Sequence, residues 1–420
     1  MVRAVRGMRD ILPQDARMWR HVEDTIQGVI ASFAYEEIRL PILEFTELFA
    51  RGVGEATDIV EKEMYTLADR DGDSLSLRPE GTASCVRALE ENGLLYNQNQ
   101  RVTYAGPMFR YEKPQKGRYR QFYQIGAEAF GFAGPDVDAE LIAIGAECWK
   151  ALGISKHISL EVNSLGSSEA RMAYKEALVA YLTPLKAQLD EDSQRRLLTN
   201  PMRILDSKNP ATQALLQLAP QLLNFVDAES KAHFQQLLKM LDALSISYKV
   251  NPNLVRGLDY YTHTVFEWVT QDLGAQGAVC AGGRYDGLVK QLGGRDTPAI
   301  GFAVGLDRVV LLCELAELEV KQSADLYICV LGDELQSKGM ILARQLRKQM
   351  PQVSVRLHMG GGNFKKQLKR ADASGATWAI LYGEEEAASG ELSLKHLRDA
   401  SVGQVKLPVE QIAQRISSNS

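Results

Sequence analysis

Apolar residues recur every three to four positions from Asp15 to Phe33, with Val22, Ile26, Val29, Ile30 and Phe33 on one stripe. Pro13 and Asp15 mark its start, so an amphipathic helix is predicted there. The period then drops to two. Glu36 to Ile42 reads as a strand, and Pro41 near its end places it at an edge or interface. Further strands are predicted at Ser74–Arg78, Val102–Ala105, Met108–Tyr111 and Gln121–Phe130. Strands in runs, joined by loops rather than regular helices, predict an antiparallel sheet in an α+β domain.

From about Ser167 to Ser245 the sequence becomes rich in Ala, Leu, Lys, Glu and Gln, as in EARMAYKEALVAYLTPLKAQL, and reads as a helical insertion. Strand-like sequence resumes near Tyr248 and continues to about Gly305. A helix over Leu306–Leu315 follows, with Leu306, Val309, Val310 and Cys313 on one side. Lys321 to Asp325 reads as a linker. Beyond it, strands at Leu326–Leu331, Val353–His358, Thr377–Tyr382 and Leu392–Leu397 alternate with helices at Ser337–Gln349, Lys365–Ala373 and Val409–Ile416. That alternation predicts a small α/β domain with a largely parallel sheet. The expected organisation is a sheet-bearing part (1–166), a helical insertion (167–245), a second sheet-bearing part (246–320) and an α/β domain (326–420).

Composition changes this picture little. The chain has 420 residues, 45% apolar and 24% charged, as in an ordinary soluble protein of two or three domains. A net charge of −5 means that a polyanion must be met by local basic patches. The five cysteines are scattered, with no CxxC and no metal-ligand spacing, which argues against a disulfide framework and fits a reducing cytoplasm. No apolar run approaches membrane-spanning length, and the N-terminus lacks a signal-like apolar stretch.

Candidate chemistry begins at residues 107–130, PMFRYEKPQKGRYRQFYQIGAEAF. In the predicted strand, Phe122, Gln124, Gly126, Glu128 and Phe130 share one face, and Tyr123, Ile125, Ala127 and Ala129 the other. The second set suits a core. The first puts an amide and a carboxylate on either side of a glycine. The loop from Arg110 to Arg120 carries Lys113, Lys116 and Arg118 against the single acid Glu112, which suits a phosphate-bearing substrate beside a small polar one. The alternative is an edge strand with a solvated face and a charged hairpin tip.

Other stretches admit two readings each. In LVRGLDYYTHTVFE (254–267), a strand would put Arg256, Leu258 and Tyr260 on one side and Tyr261 opposite, unless Gly257 makes a turn. An arginine near two tyrosines suits a phosphate beside a polar ligand; the other reading is an aromatic hairpin on the core, with His263 structural. GGRYDGL (282–288) is mostly a turn signal that brings Arg284 and Tyr285. In RPEGT (78–82) the carboxylate suits an ammonium group, or Thr82 caps a helix. In GFAVGLDRVV (301–310), Arg308 stands off the apolar stripe, either for a flat base or phosphate or paired with Asp307 or Glu314. MGGGNFKKQLKR (359–370) offers Lys365, Lys366, Lys369 and Arg370 to nucleic-acid phosphates with Phe364 to stack, or is a solvated basic helix face. GxGxxG, Walker A, HExxH and GxSxG patterns do not occur, which removes the commonest dinucleotide, P-loop, zinc-protease and serine-hydrolase readings.

The order of these stretches is more telling than any one of them. RLPILE, then FRYEKPQKGRYRQFYQIGAE, then GFAVGLDR resembles motifs 1, 2 and 3 of class II aminoacyl-tRNA synthetases. LVRGLDYYTHTVFE and GGRYDGL resemble the two signature peptides of the histidyl-tRNA synthetase family, in its bacterial type. The resemblance covers nearly the whole chain. It implies a catalytic domain in two parts, a C-terminal anticodon-binding domain, a cytoplasmic homodimer with no membrane association, and ligation of L-histidine to tRNA(His). ATP would be a substrate, with Mg2+ accompanying it, and no further metal is expected.

Carried over by position, the resemblance assigns Arg110 to the ATP α-phosphate and Arg256 to its opposite side, where relatives place a magnesium ion. Glu112 and Arg308 complete the expected ATP site, Arg308 at the adenine ring and γ-phosphate. Glu80, Gly81, Thr82 and Gln124 would hold the histidine α-amino end, Glu128 and Tyr261 the imidazole nitrogens, with Tyr260 and Tyr285 lining the pocket. Gln115, Arg118 and Arg120 would meet the tRNA acceptor end, and Gly361, Asn363, Phe364 and Lys365 the anticodon. Asp307 departs from the glutamate common before the motif 3 arginine, which bears only on metal-ligand detail. Several lysine and arginine contacts with phosphate imply tRNA binding that weakens steeply with salt. Two other readings remain: a synthetase-like regulator, which typically loses the active-site arginines or the C-terminal domain, and a class II synthetase for proline or threonine, against which Tyr260, Tyr261 and Glu128 argue.

Overall fold

The computed structural model describes residues 2–54, 57–274, 277–320 and 326–418. They form two compact units, Met1–Leu318 and Glu319–Ser420. The linker expected over Lys321–Asp325 lies outside the described residues.

The first helix, Ala16–Ser32, buries Trp19, Val22, Ile26 and Ile30, the stripe read from the sequence. The strand expected after it is short. β1 covers only Glu36–Glu37, because the carbonyls of Leu40 and Pro41 are taken by the Arg78 guanidinium at 3.0 and 3.4 Å rather than by a neighbouring strand. β2 (Leu43–Phe45), β3 (Tyr65–Ala68) and β4 (Ser74–Leu77) form a small antiparallel sheet in the order β2-β4-β3.

The main sheet uses β5 (Gln100–Phe109), β6 (Gln121–Phe130), β7 (Ser159–Ser164), β8 (Tyr248–Val250), β9 (Thr262–Val269), β10 (Ala278–Arg284) and β11 (Ala299–Gly305). Its order is β1-β5-β6-β11-β10-β9-β7-β8. Every inner pair is antiparallel, and only the edge pairs β1·β5 and β7·β8 are parallel. The break expected between Ala105 and Met108 does not occur. Gly106 and Pro107 continue β5, opposite Gln124 and Tyr123. Proline is tolerated there because β1 pairs only near Val102 and Thr103, so this end of β5 is an edge.

One face of the sheet carries Ile125, Ala127 and Ala129 of β6 with Ile300, Phe302 and Val304 of β11 into a large core, which the first helix also enters. Regular helices do separate strands, contrary to the sequence reading: Thr82–Glu91 precedes β5, and Pro135–Ala151 follows β6. The latter shows no stripe in the sequence because it buries Val137, Ala139, Leu141, Ile142, Ile144, Cys148 and Trp149 around most of its circumference.

Between β7 and β8 the chain is helical, with helices Ser168–Leu182, Glu191–Thr199, Pro210–Leu216 and Ala228–Ala243. Each opens on a side-chain cap, from Ser167, Asp190, Asn209 and Asp227 respectively, which satisfies backbone N–H groups of its first turn. The helix Leu306–Leu315 then buries Leu306, Val309, Val310 and Cys313.

In the second unit, β12 (Leu326–Val330), β13 (Val355–Leu357), β14 (Trp378–Tyr382), β15 (Glu391–His396) and β16 (Gln404–Pro408) lie in the order β13-β12-β14-β15-β16. The sheet is mixed rather than largely parallel, since β12 pairs in parallel with both neighbours but β14·β15 and β15·β16 are antiparallel. Helices Gln336–Gln349, Phe364–Ala373 and Val409–Ser417 accompany it. Among the described residues, no helix is long and apolar enough to cross a membrane.

Candidate active site

The face of β6 turned away from the core opens into a cleft of about 310 Å³ in the first unit. Alternation along the strand brings Phe122 and Gln124 to its wall while Ile125 and Ala127 go to the core. Glu80 to Thr82, the turn between β5 and β6, Arg256 to Tyr261, the start of β10, β11 and the helix after it also line the cleft, with Tyr104 of β5 and Glu267 of β9. The carbonyl oxygen of the Gln124 side chain is buried and has no hydrogen-bond partner. Buried acceptors are seldom left so, and this one suits a ligand N–H.

Part of the cleft wall is made of carboxylates and phenols. The Glu80 carboxylate accepts from the N–H groups of Thr82 at 2.7 Å and Ala83 at 2.9 Å, so Glu80, not Thr82, caps the helix Thr82–Glu91. Thr82 instead donates its hydroxyl to Glu128 at 2.8 Å. Glu128 is fully buried behind the wall, where it also accepts from Tyr104 at 3.1 Å and from the Tyr285 hydroxyl. Glu128 and Tyr285 do not themselves line the cleft; Gly301 does, and a Cβ there would collide with the Glu128 carboxylate. Tyr104 carried no signal in the sequence, yet its ring fills the space that side chains at Gly81 and Gly126 would need: a Cβ at either would lie 2.2 Å from a ring carbon. The segment before β9 is irregular, so Tyr260 and Tyr261 both face the cleft instead of opposing one another. Their rings are 4.6 Å apart, and Tyr285 lies 5.5 Å from Tyr260.

Burial pushes the Glu128 carboxyl up to about 8, against the pull of its three hydroxyl donors. The folded chain therefore holds a proton here that the unfolded chain has lost, between the ordinary carboxylate value and about 8. Stability from this group is fully present at acid pH and is lost as pH rises through about 8. From about pH 5 to about pH 8, the Tm of Glu128→Gln is expected to gain on that of the native chain. Parallel Tm curves would contradict this.

The cleft is also rich in arginine. Arg110, Arg118, Arg256 and Arg308 all line it. Arg110 donates from Nε to the Pro79 carbonyl at 2.9 Å and stands 5.2 Å from the Phe122 ring; burial pushes its pKa down. Arg308 donates to the carbonyls of Ala278 at 2.6 Å and Gly117 at 3.2 Å. Burial, then the charges of Arg110 and Arg118, lower its pKa to about 10. Arg256 is paired with Glu267, and its guanidinium lies 5.6 Å from the Tyr261 ring. Burial opposes the charged form of Arg256, but Glu267 and its other neighbours outweigh it and hold the pKa above the ordinary value.

Gln115 and Arg118 close the hairpin tip through mutual backbone bonds of 3.0 and 2.9 Å, and Arg118 pairs with Glu112 on the cleft wall. Arg120 does not line the cleft; its guanidinium lies 3.7 Å from the Tyr111 ring. Asp307 accepts from the Tyr123 N–H at 2.9 Å and from Arg9 at 3.1 Å. Among the described residues no cluster of three His, Cys, Asp or Glu is arranged to hold a metal ion. The cleft carboxylates Glu80, Glu112, Glu267 and Asp307 are each engaged with protein donors.

Sequence reasoning also missed Asp138. It is fully buried and accepts from Thr264 at 2.6 Å, from Arg284 Nε at 3.1 Å and from His233 at 2.8 Å. Arg284 reaches on to the Phe132 carbonyl at 3.0 Å. This network ties β9 and β10 to the helix Pro135–Ala151, and so seats Tyr285 against Glu128. Arg284 is therefore a structural residue.

In the second unit, Gly360, Gly361 and Gly362 all have positive φ, which favours glycine at each. Asn363 caps the helix Phe364–Ala373 by accepting from the Lys366 N–H at 3.0 Å. Lys365, Lys366, Lys369 and Arg370 are exposed, whereas Phe364 is half-buried against its own domain.

The family model described as histidyl-tRNA synthetase matches residues 7–309, and that described as anticodon binding domain matches 325–419. The apo histidyl-tRNA synthetase of S. aureus is 36% identical over 99% of this chain and 100% of its own, with a TM-score of 0.81. The histidyl-tRNA synthetase from Nostoc is 20% identical, with 99% of each chain covered and a TM-score of 0.73. A Bacillus halodurans protein, titled an ATP phosphoribosyltransferase regulatory subunit/histidyl-tRNA synthetase, is 24% identical over 91% of this chain and 98% of its own, with a TM-score of 0.66. These last two share the fold; the S. aureus enzyme shares the sequence as well. A cleft lined by arginines, carboxylates and phenols thus lies within a stretch matched throughout by one family, and the chain belongs to the histidyl-tRNA synthetases, which charge tRNA with histidine.

Proposed function

We propose that the cleft performs both halves of the ligation: L-histidine and ATP give histidyl-adenylate and pyrophosphate, and the histidyl group then passes to tRNA(His). The observation that carries this reading is the presence of Arg110 and Arg256, distant in sequence, on the walls of one cleft that also exposes Gln124. In the first half the histidine carboxylate attacks the α-phosphorus in line. A carboxylate is already a nucleophile, so no general base is required, and catalysis rests on positioning and on stabilising charge at the phosphoryl oxygens. Arg110 and Arg256 supply fixed donors on the two sides of that phosphate, Arg256 with Glu267 behind it. Arg308 takes the adenine and γ-phosphate end, with Glu112 also in the ATP site.

On the amino-acid side, Glu80, Thr82 and Gln124 receive the α-ammonium group beside Gly81. Glu128 and Tyr261 pair with the imidazole nitrogens, with Tyr260 and Tyr285 around the ring. Mg2+ arrives as part of the ATP substrate, held chiefly by its phosphates, because the cleft carboxylates already have protein partners. Gln115, Arg118 and Arg120 serve the acceptor end of tRNA, while Gly361, Asn363, Phe364 and Lys365 serve the anticodon. The second unit is on this reading the anticodon-binding domain, and 1–166 with 246–320 the catalytic domain around the 167–245 insertion. A homodimer belongs to the reading, since Leu43 and Phe45, on one face of β2, are 39% and 60% exposed, an apolar strip that a partner protomer suits. Five buried free cysteines support a cytoplasmic location.

The test is isotope exchange between pyrophosphate and ATP without tRNA. Exchange is expected only when histidine and Mg2+ are both present, with transfer after tRNA(His) is added. Exchange that ignores histidine, or that proline or threonine supports equally, would contradict the proposal.

A further inference from the structure

The peptide bearing Arg256, Tyr260 and Tyr261 has no strand or helix of its own between β8 and β9. Its backbone groups must therefore find partners elsewhere. Two of its carbonyls find theirs in Arg171 of the helical segment, which makes further side-chain contacts as well. Arg171, near the start of the helix Ser168–Leu182, donates from Nη1 to the Tyr261 carbonyl and to the Asp259 carbonyl at 3.3 Å. Asn200 donates to the Asp259 carboxylate at 3.0 Å. The Arg203 guanidinium packs on Gly257, where a Cβ would stand 3.1 Å from its Nη1.

Arg171 does not line the cleft. It lies behind it, in a separate cavity of about 270 Å³ that Arg256 and Leu258 also line. Burial pushes its pKa down, so the guanidinium is held there against a desolvation cost. Both bonds leave one nitrogen, Nη1, so the guanidinium ties together the carbonyls of Asp259 and Tyr261, and its rigid plane fixes that nitrogen more closely than a flexible lysine stem would.

We propose that Arg171 is a positioning residue for histidine selection, fixing the Tyr260–Tyr261 pair against the cleft by holding the carbonyls on either side of Tyr260. The inference rests on the reading above that these tyrosines line the histidine pocket. The helical segment thus contributes to amino-acid choice without touching the amino acid.

The experiment is pyrophosphate exchange without tRNA, with histidine and ATP titrated separately and rates corrected by active-site titration. Arg171→Met is expected to raise the KM for histidine about tenfold and to leave the KM for ATP within about twofold, as loss of one buried pairing at the amino-acid end implies. Arg171→Lys should recover part of the loss. Glu176→Gln, exposed on the same helix and outside that cavity, should change neither constant. Tyr261→Phe is measured alongside. If Tyr261→Phe raises the histidine KM but Arg171→Met does not, or shifts both constants equally, the positioning role is wrong while the pocket stands. If neither variant moves the histidine KM, both readings fall.

Discussion

Replacing Arg256 with alanine is expected to slow histidyl-adenylate formation by ~100-fold or more, the loss typical when one preorganised donor to a transition-state oxyanion is removed. Two features of the site drive the effect. The guanidinium is mostly shielded from solvent, its side chain 18% exposed, in a cleft where charge is less screened than in water. Its removal also leaves Glu267 without its partner, so a negative group faces the phosphate in place of a positive one. Arg256→Lys retains the charge but not the fork, and should fall between the two. The KM for histidine should change little, since the proposed role lies at the phosphate. Exchange of pyrophosphate by Arg256→Ala within a few-fold of the native rate would refute this role.

The second large effect is expected at Glu128. Pockets that pair a substrate's polar atoms reject analogues lacking them by ~10⁴–10⁵, because buried groups are then left unpaired. Glu128→Ala should lower kcat/KM for histidine by at least ~1,000-fold on that scale while hardly altering the KM for ATP. It also strips the hydroxyls of Thr82, Tyr104 and Tyr285 of a shared acceptor, at about 1–3 kcal/mol for each that stays unpaired. Glu128→Gln keeps an acceptor for those hydroxyls and separates the two effects: it should remain folded and still select histidine poorly. An unchanged histidine KM and rate in Glu128→Gln would count against the assignment.

The parts of the fold legible in the sequence are those with a clean period. β6 runs from Gln121 to Phe130 as its alternation predicts, and the helix Leu306–Leu315 follows its stripe. The helix Pro135–Ala151 was hidden because burial nearly all round erases the contrast between faces. The strand expected through Ile42 failed because an arginine far along the chain, Arg78, takes the carbonyls that a sheet would use. Long-range polar partners of that kind leave no local signal. The same holds in the cleft. Arg110 and Arg256 stand in recognisable peptides, and Glu267 behind Arg256 closes the same one without any sign of that pairing, but Tyr104 over Gly81 and Gly126 and Asp138 beneath Arg284 are single residues in an ordinary strand and helix. Only close approach reveals them. Gly81 and Gly126 were the one available hint, since each is a glycine where another side chain would collide with a ring.

The central claim, that two arginines from separate peptides act on one phosphate beside the histidine pocket, is tested most directly by a crystal structure with a non-hydrolysable histidyl-adenylate analogue. The expected result is guanidinium nitrogens of both Arg110 and Arg256 about 2.7–3.1 Å from oxygens of the α-phosphate position, with the imidazole turned toward Glu128. A nucleotide bound with its α-phosphate position out of reach of either arginine would contradict the claim.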